Sequence, residues 1–245
     1  MPGPGELVVL LPPSEGKAAG GTTRWRPSSG TFGRRLGGHR QAVIDALGRT
    51  ELTNRHLGVT GPLFGRASEA TQQIVDGRAK ARPADRRYTG VVWEHLDPHH
   101  DLDDDQRRRI LVPSALLGLV TAADPVPDHQ LKFDVSLAGV GRLDRYWRTA
   151  ITDALRHRAG ATIVELLPLE HRAALDLDAL TRSRKHTLVR TTFTGTTGHD
   201  AKAVKGKVAR HLLDHGLSEA SATAFDWQGW RVDYREPERL LIVSR

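Results

Sequence analysis

Residues 196–216, TTGHDAKAVKGKVARHLLDHG, combine a glycine-containing turn with one amphipathic helix. Asp200 is placed to cap the helix, and Gly216 is placed to end it. The run 187–194, TLVRTTFT, is rich in Thr, lies just before this stretch and predicts a strand. A strand followed by a helix is the unit from which α/β proteins are built. We therefore expect an α/β fold in which this helix packs on a sheet.

The same helix carries a row of cations. Lys202, Lys205 and Arg210 lie opposite the predicted apolar face, and Lys207 lies at its margin. Gly206 interrupts the helix, where it costs about 1 kcal/mol relative to Ala. We expect another group to approach the backbone closely at that position. A basic helical run is often only a solvated face, but the lysines have no acidic neighbour at i±4, so anion binding is our first hypothesis.

Composition limits the possible functions. The 245 residues carry a formal charge of +7, which favours polyanionic partners such as nucleic acid, nucleotides or phosphorylated metabolites. There is no cysteine, so the chain itself supplies no disulfide, thiolate metal site, iron–sulfur cluster or cysteine nucleophile. No apolar run is long enough to span a bilayer, and we expect a cytoplasmic protein without a membrane partner. Oligomeric state is not indicated.

Several short apolar runs along the chain predict buried strands. We expect strands at 6–11, 110–114 and 161–167, a further strand at 88–93, and an alternating strand at 130–137. Two more strands are expected near the C-terminus. Helical periodicity between these runs and the lack of a low-complexity linker predict one compact domain over 1–245. The fold class is therefore α/β (mixed α+β), with a mixed sheet flanked by helices.

Candidate catalytic residues follow the predicted strands. Lys17 lies in the loop after the first strand, where the nearby Ser14 is a candidate anion contact, and Glu165, Glu170 and His171 lie at the end of, or just after, the strand at 161–167. Strand ends are common sites of chemistry in α/β folds, and these residue types can transfer protons. The simpler interpretation of His171 is a surface residue at the start of a helix.

The segment 93–105, WEHLDPHHDLDDD, is dense in His and Asp and invites a metal hypothesis. Pro98 interrupts the helical spacing that would bring His95 and His99 together. Residues 103–105 are typical of the acidic first turn of a helix. We therefore predict a loop and a capped helix here, with no metal site and no cofactor.

Several motifs in order resemble the YaaA family of peroxide stress proteins, in its actinobacterial-type form. They are LVVLLPPSEGK with Ser14 and Lys17, the Tyr88-Thr89-Gly90 triplet, Ser114–Gly118 followed by Asp124, the helix containing Tyr146-Trp147, and the run containing Lys202, Lys205-Gly206 and Arg210. The chain departs from the family pattern at Leu117, at Gln130 in place of an arginine, and at 165–168.

This resemblance implies a compact mixed α/β fold with a helix-hairpin-helix-like basic element. It also implies a role in peroxide resistance and iron control, with DNA bound in a positively charged cleft. On that basis DNA would contact Ser14, Lys17, Lys132, Lys202, Lys205, Lys207 and Arg210. The alternative is an enzyme on the same scaffold, acting on a nucleotide, nucleobase or other anionic small molecule, with Lys17, Glu165, Glu170 and His171 in catalytic roles. A third hypothesis is an iron- or haem-interacting protein. Whether the chain is an enzyme stays open at this point.

Overall fold

The computed structural model describes residues 6–97, 99–158, 160–182, 185–195 and 198–245. Pro98 and residues 196–197, which belong to segments discussed above, lie outside the described residues. The helices are α1 Gly33–Leu47, α2 Asn54–Leu57, α3 Pro62–Val75, α4 Ala84–Arg87, α5 Val91–Leu96, α6 Asp104–Arg109, α7 Leu143–Arg156, α8 Leu169–Arg172, α9 Leu177–Arg182, α10 His199–His215 and α11 Glu219–Thr223. The strands are β1 Leu7–Leu10, β2 Thr23–Arg24, β3 Lys80–Pro83, β4 Ile110–Ser114, β5 Gly118–Thr121, β6 Pro125–Pro127, β7 Ser136–Leu137, β8 Gly141–Arg142, β9 Thr162–Glu165, β10 Thr187–Phe193, β11 Asp226–Trp227, β12 Trp230–Arg235 and β13 Leu240–Ser244.

The predicted mixed α/β class is confirmed. Within the described residues the main sheet has eight strands in the order β11-β12-β13-β10-β9-β1-β4-β5. The five central strands, from β13 to β4, run parallel, and the strands outside them are antiparallel. Strands β1 and β4 are buried along their whole length, which explains their unbroken apolar sequences. A three-stranded sheet β2-β3-β6 and the β7-β8 pair are separate from this sheet.

The central strand β1 lies where the strand order reverses. It pairs with β4 on one side and with β9 on the other, both in parallel. The loops that leave the carboxyl ends of β1 and β9 therefore diverge and leave a crevice between them. In open α/β sheets, ligands bind at such a crevice.

Helix α10 contains the predicted basic run and covers the sheet together with α5. Gly206 is buried where the two helices meet, and a Cβ there would lie 2.9 Å from Leu96 N and closer still to the Val92 carbonyl oxygen. The predicted close approach at Gly206 is confirmed, but the approaching group is the backbone of α5. The helix is capped by Gly198, with Asp200 inside its first turn rather than at the cap. A short turn joins α10 to α11.

Two predicted strands are wrong. Residues 91–96 form α5, because the extended Gly90 ends the preceding segment and serves as the helix N-cap. Most of 130–137 is irregular, and only Ser136–Leu137 forms a strand. Its apolar side chains still enter the core, which explains the alternating pattern. The capped helix predicted after the His- and Asp-rich segment is confirmed as α6, where the Asp103 side chain accepts a hydrogen bond from Gln106 N at 2.7 Å.

Among the described residues, no helix has both the length and the apolar character needed to cross a membrane. The same part of the chain contains no group of three or more His, Asp or Glu side chains arranged to hold a metal ion.

Candidate functional site

A cavity of about 320 Å³ lies at the carboxyl ends of the central parallel strands. Its walls come from the loop 12–17 after β1, the start of α5, the end of β4, the segment 129–133, the segment 168–171 that follows β9 and includes most of α8, and α10. Each wall follows a strand end or belongs to a helix packed beside one. The topology therefore accounts for the position of the cavity.

Four lysines line this cavity: Lys17, Lys132, Lys202 and Lys205. The whole sequence has only seven lysines among its 36 basic Lys and Arg residues. No arginine among the described residues lines the cavity. Lys132 and Lys202 are exposed, and Lys17 and Lys205 are partly buried, so the cations extend from the opening to the interior.

Lys17 is held by two acceptors at one end of the cavity. Its Nζ donates to the carbonyl oxygen of Ser14 at 2.7 Å and to Gln130 Oε1 at 3.2 Å. Gln130 Nε2 in turn donates to the carbonyl oxygen of Glu15 at 2.7 Å, which fixes the orientation of the amide. Burial lowers the pKa of Lys17 to about 8. An ammonium group has three N–H donors, so one remains for a ligand.

Ser14 lies beside Lys17, but its hydroxyl does not contact the amine. Within the described residues Ser14 Oγ is buried and has no hydrogen-bond partner. A Cβ on Gly90 would overlap Ser14 Oγ, so a larger residue at the start of α5 would displace this hydroxyl. Buried hydroxyls are normally hydrogen-bonded, and an unpartnered one in a cavity wall is a group that a ligand could satisfy.

Glu170 and His171 lie together on the opposite wall. The His171 ring packs edge-on against Phe133 with 5.6 Å between ring centroids, and its Nδ1 lies 3.4 Å from Glu170 Oε1. That contact lacks hydrogen-bond geometry, so Nδ1 has no hydrogen-bond partner among the described residues. Burial, together with the charges of Lys205 and Lys132, lowers the pKa of His171 to about 4. The imidazole is therefore neutral at pH 7 and has a nitrogen that can accept a proton.

Lys205 extends from α10 toward the same wall. Burial lowers the pKa of Lys205 to about 8, and the Glu165 carboxylate partly opposes this effect. Its Nζ lies 5.0 Å from the centroid of the Phe193 ring. No hydrogen bond from its Nζ is present in the described part of the chain, in contrast to Lys17.

Glu165 lies behind the cavity wall and is not among the lining residues. It is fully buried, accepts a hydrogen bond from Leu167 N, and pairs through Oε2 with Arg172 Nε at 2.8 Å. Burial raises the pKa of the Glu165 carboxyl, although Arg172 opposes the shift. The geometry makes Glu165 an electrostatic neighbour of Lys205 rather than a group that touches a ligand.

Lys207 and Arg210 do not join the cavity lysines. Neither lines the cavity, although both belong to the predicted basic run. Arg210 Nη1 lies 2.6 Å from Asp101 and its Nε lies 2.8 Å from Asp214, while the buried Asp97 carboxylate is 3.9 Å away. The charge of Arg210 is therefore already neutralised within the protein.

A buried pair that the sequence did not single out lines the cavity. Ser114 Oγ lies 3.3 Å from His129 Nε2, and His129 Nδ1 lies 3.0 Å from the Pro127 carbonyl oxygen. The carbonyl can only accept, so Nδ1 carries the proton and Nε2 accepts from Ser114. Burial and the charge of Lys17 lower the pKa of His129 to about 3, which keeps the ring neutral. Ser114 begins a motif quoted above for the family resemblance, and His129 directly precedes Gln130, where the chain departs from the family pattern.

Comparison with known proteins supports the resemblance noted in the sequence. The family described as "Peroxide stress protein YaaA" matches residues 7–236. The chain is 33% identical over 225 residues to a UPF0246 protein of Streptomyces coelicolor, covering 86% of this chain and 85% of that protein. It is 31% identical over 153 residues to a UPF0246 protein of Corynebacterium efficiens, covering 61% and 62% of the two chains. The motifs around the cavity fall within the matched range. The chain therefore belongs to the YaaA family of peroxide stress proteins.

Proposed function

We propose that this protein binds an anionic small molecule of nucleotide type in the lysine-lined cavity and acts on it as an enzyme. The observation that carries the proposal is the convergence of Lys17, Lys132, Lys202 and Lys205 on one cavity of about 320 Å³. Pockets for small molecules occupy roughly 300–1,000 Å³ and combine an apolar lining with a few polar groups. Four cations in so small a space favour an anionic occupant, which would offset their mutual repulsion.

The apolar part of the lining supports a ligand that also has a flat or apolar portion. Trp93 and Phe133 line the cavity, and Leu57 and Leu131 add aliphatic surface. A phosphate or carboxylate near the exposed lysines and a ring against these side chains would use both parts of the lining. Nucleotides and phosphorylated aromatic metabolites have this chemistry.

Acid–base groups within the same cavity support catalysis. His171 is neutral at pH 7 and can accept a proton, and Glu170 lies next to it. General acid–base catalysis needs such groups within hydrogen-bond reach of the reacting atoms. Since the chain has no cysteine, a thiol-based reaction with peroxide is excluded. We therefore propose a role in peroxide stress through metabolism of the bound compound.

DNA binding, implied by the family resemblance, stays a prediction. A duplex would need cations spread over an open surface, in contact with successive phosphates. Lys207 lies outside the cavity, and Arg210 is paired with carboxylates. These positions favour the small-molecule proposal over the predicted use of the whole basic helix.

A thermal-shift screen tests the proposal. Wild-type protein is heated with a panel of nucleotides, nucleobases and phosphorylated metabolites, and separately with duplex DNA over a salt series. A ligand at 100 times its Kd stabilises the folded state by about 2.7 kcal/mol. For a chain of this size that corresponds to a rise in Tm of roughly 5–10 °C. We expect such a rise with at least one anionic compound. Stabilisation by DNA alone, steeply weakened by salt, would instead support nucleic-acid binding.

A further inference from the structure

Among the described residues, the cavity is lined by lysine and not by arginine, and this difference indicates a role for the amines in addition to their charge. The chain uses arginine for most of its basic positions, yet every basic residue that lines the cavity in the described part of the chain is a lysine, apart from His129 and His171. A guanidinium stays charged in proteins and binds phosphate with two parallel hydrogen bonds. An amine differs in that it can lose its proton and form a covalent bond through nitrogen. Anion binding alone would be served by either residue.

The two inner lysines have different surroundings. Lys17 donates to Ser14 O and to Gln130 Oε1, and these acceptors favour the protonated ammonium and fix its direction. Lys205 has no such acceptor within the described residues and rests over the Phe193 ring. Desolvation in an apolar pocket and the presence of other cations are the conditions that activate a lysine as a nucleophile. Lys205 meets both conditions, because it is partly buried in the cavity wall and the Arg172 guanidinium acts on it as a neighbouring positive charge.

We propose that Lys205 forms a Schiff base with an aldehyde or ketone group of the ligand, while Lys132 and Lys202 hold the anionic group of the same molecule. This inference rests on the proposed function of the cavity and narrows its substrate class to anionic carbonyl compounds. The pKa of about 8 for Lys205 agrees with the geometry. At pH 7 the neutral fraction of such an amine is roughly 200 times that of a lysine with an unperturbed pKa near 10.4.

The reaction is balanced without an oxidant or a reductant. The lone pair of neutral Lys205 Nζ attacks the carbonyl carbon, an N–C bond forms, and the carbonyl oxygen takes up a proton. The nitrogen gives up one of its two protons. The C–O bond then breaks and the oxygen leaves as water with a second proton, while the nitrogen keeps its other proton in the resulting iminium. One net proton is therefore taken up from solvent. His171 and Glu170 lie on the cavity wall beside this position and can pass the protons to and from the oxygen. Glu165 and Arg172 set the electrostatic balance at Lys205 from behind the wall.

Trapping with pyridoxal 5′-phosphate, an aldehyde that carries a phosphate, tests the proposal. The full-length protein is incubated with the probe and reduced with borohydride, and the modified lysines are identified by peptide mass spectrometry. We expect one dominant label, on Lys205, and at least about tenfold less label with pyridoxal, which lacks the phosphate. Lys205→Arg should lose this label. The matched control Lys207→Arg, two residues along the same helix and outside the cavity, should keep it.

The pH dependence of labelling distinguishes an amine with a lowered pKa from an ordinary surface amine. Labelling of Lys205 should rise with pH and level off above a midpoint near 8. A surface amine continues to gain reactivity toward pH 10. Label spread over several lysines, or concentrated on Lys17, Lys132 or Lys202, would overturn the inference. Mapping on the wild-type protein makes this outcome visible even if a variant does not fold.

Binding measured apart from trapping distinguishes the two proposals. Calorimetry with the anionic compounds that stabilise wild type in the thermal screen, repeated on Lys205→Arg, reports binding without a covalent step. Binding with no trapped adduct would overturn the Schiff base and leave the proposed anion site intact. Failure of every anionic compound to bind would overturn both.

Discussion

Replacement of Gly206 by alanine tests how the two helices that frame the cavity are held together. The added Cβ would lie 2.9 Å from both His95 Cβ and Leu96 N, and closer still to the Val92 carbonyl oxygen. Two of these atoms belong to the backbone of α5, so no side-chain rotation relieves the overlap. Overpacking of this kind costs about 1–3 kcal/mol and occasionally more. We place the cost at the upper end, at roughly 3–4 kcal/mol, because a helix must move.

Part of that cost is offset by the helix propensity of alanine. Alanine is favoured over glycine within a helix by about 1 kcal/mol. The net expectation for Gly206→Ala is therefore a loss of roughly 2–3 kcal/mol in the free energy of unfolding. Helix α5 forms one cavity wall and α10 carries Lys202 and Lys205, so ligand affinity should fall as well.

Urea unfolding followed by circular dichroism measures the effect. Gly38→Ala in α1 and Gly65→Ala in α3 are matched controls, because both glycines are exposed and a Cβ at either position would meet nothing within 4 Å. The controls should raise the unfolding free energy by about 0.5–1 kcal/mol. If Gly206→Ala were stabilising to the same extent as the controls, the close helix contact and its role in shaping the cavity would be refuted.

Three further substitutions test the electrostatics of the structure. The pKa of His171 is lowered from 6.5 to about 4, so the unfolded chain binds a proton that the folded chain does not, and stability is lost as pH falls from 6.5 to 4. His171→Gln should reduce the loss of unfolding free energy between pH 7 and pH 4 by up to roughly 3 kcal/mol, as measured by urea unfolding at the two pH values. An unchanged pH dependence would contradict the burial of a neutral ring. Arg210→Gln should cost about 1–3 kcal/mol of stability because buried Asp97 loses the guanidinium that lies 3.9 Å from it, while ligand affinity stays within twofold. A large affinity loss would return Arg210 to the binding site. Gln130→Glu should place a carboxylate beside Lys17 and raise the pKa of Lys17. The affinity for anionic ligands, measured by calorimetry, should fall at least about tenfold. Unchanged affinity would remove Lys17 from the ligand contacts.

The main elements of the fold could be predicted from local pattern. The unbroken apolar run 110–114 predicted β4, and the spacing of apolar residues in α10 predicted that helix, because both signals come from burial of the residues concerned. The segment 88–93 is predicted as a strand because its apolar residues are β-branched or aromatic, but its residues 91–93 belong to helix α5, which packs against Gly206. That packing partner lies more than 100 residues further along the chain.

Individual residues of the site could be predicted from the sequence, but their convergence on one cavity could not. Strand ends indicated Lys17 and His171 as candidates, but their common cavity depends on β1 lying between β4 and β9. The pairing of Lys17 with Gln130 joins residues 113 positions apart. Arg210 is neutralised partly by Asp101, 109 positions away, and no local spacing rule reports that contact. Charge counted along a helix therefore overestimated the size of the basic site.

The proposed function assigns the anionic ligand to the cavity lysines and not to outer cations such as Lys80 and Lys207, which do not line the cavity. The most direct measurement repeats the thermal-shift panel on two double variants, Lys132→Gln with Lys202→Gln and Lys80→Gln with Lys207→Gln. Each removes two positive charges, but only the first changes the cavity lining. Charge-assisted hydrogen bonds contribute about 1.5–3 kcal/mol each, so the cavity variant should bind at least about 100-fold more weakly and lose the shift seen with wild type. The outer variant should keep it. Equal responses from the two double variants, or a strong stabilisation by duplex DNA that is lost only in the outer variant, would contradict the account.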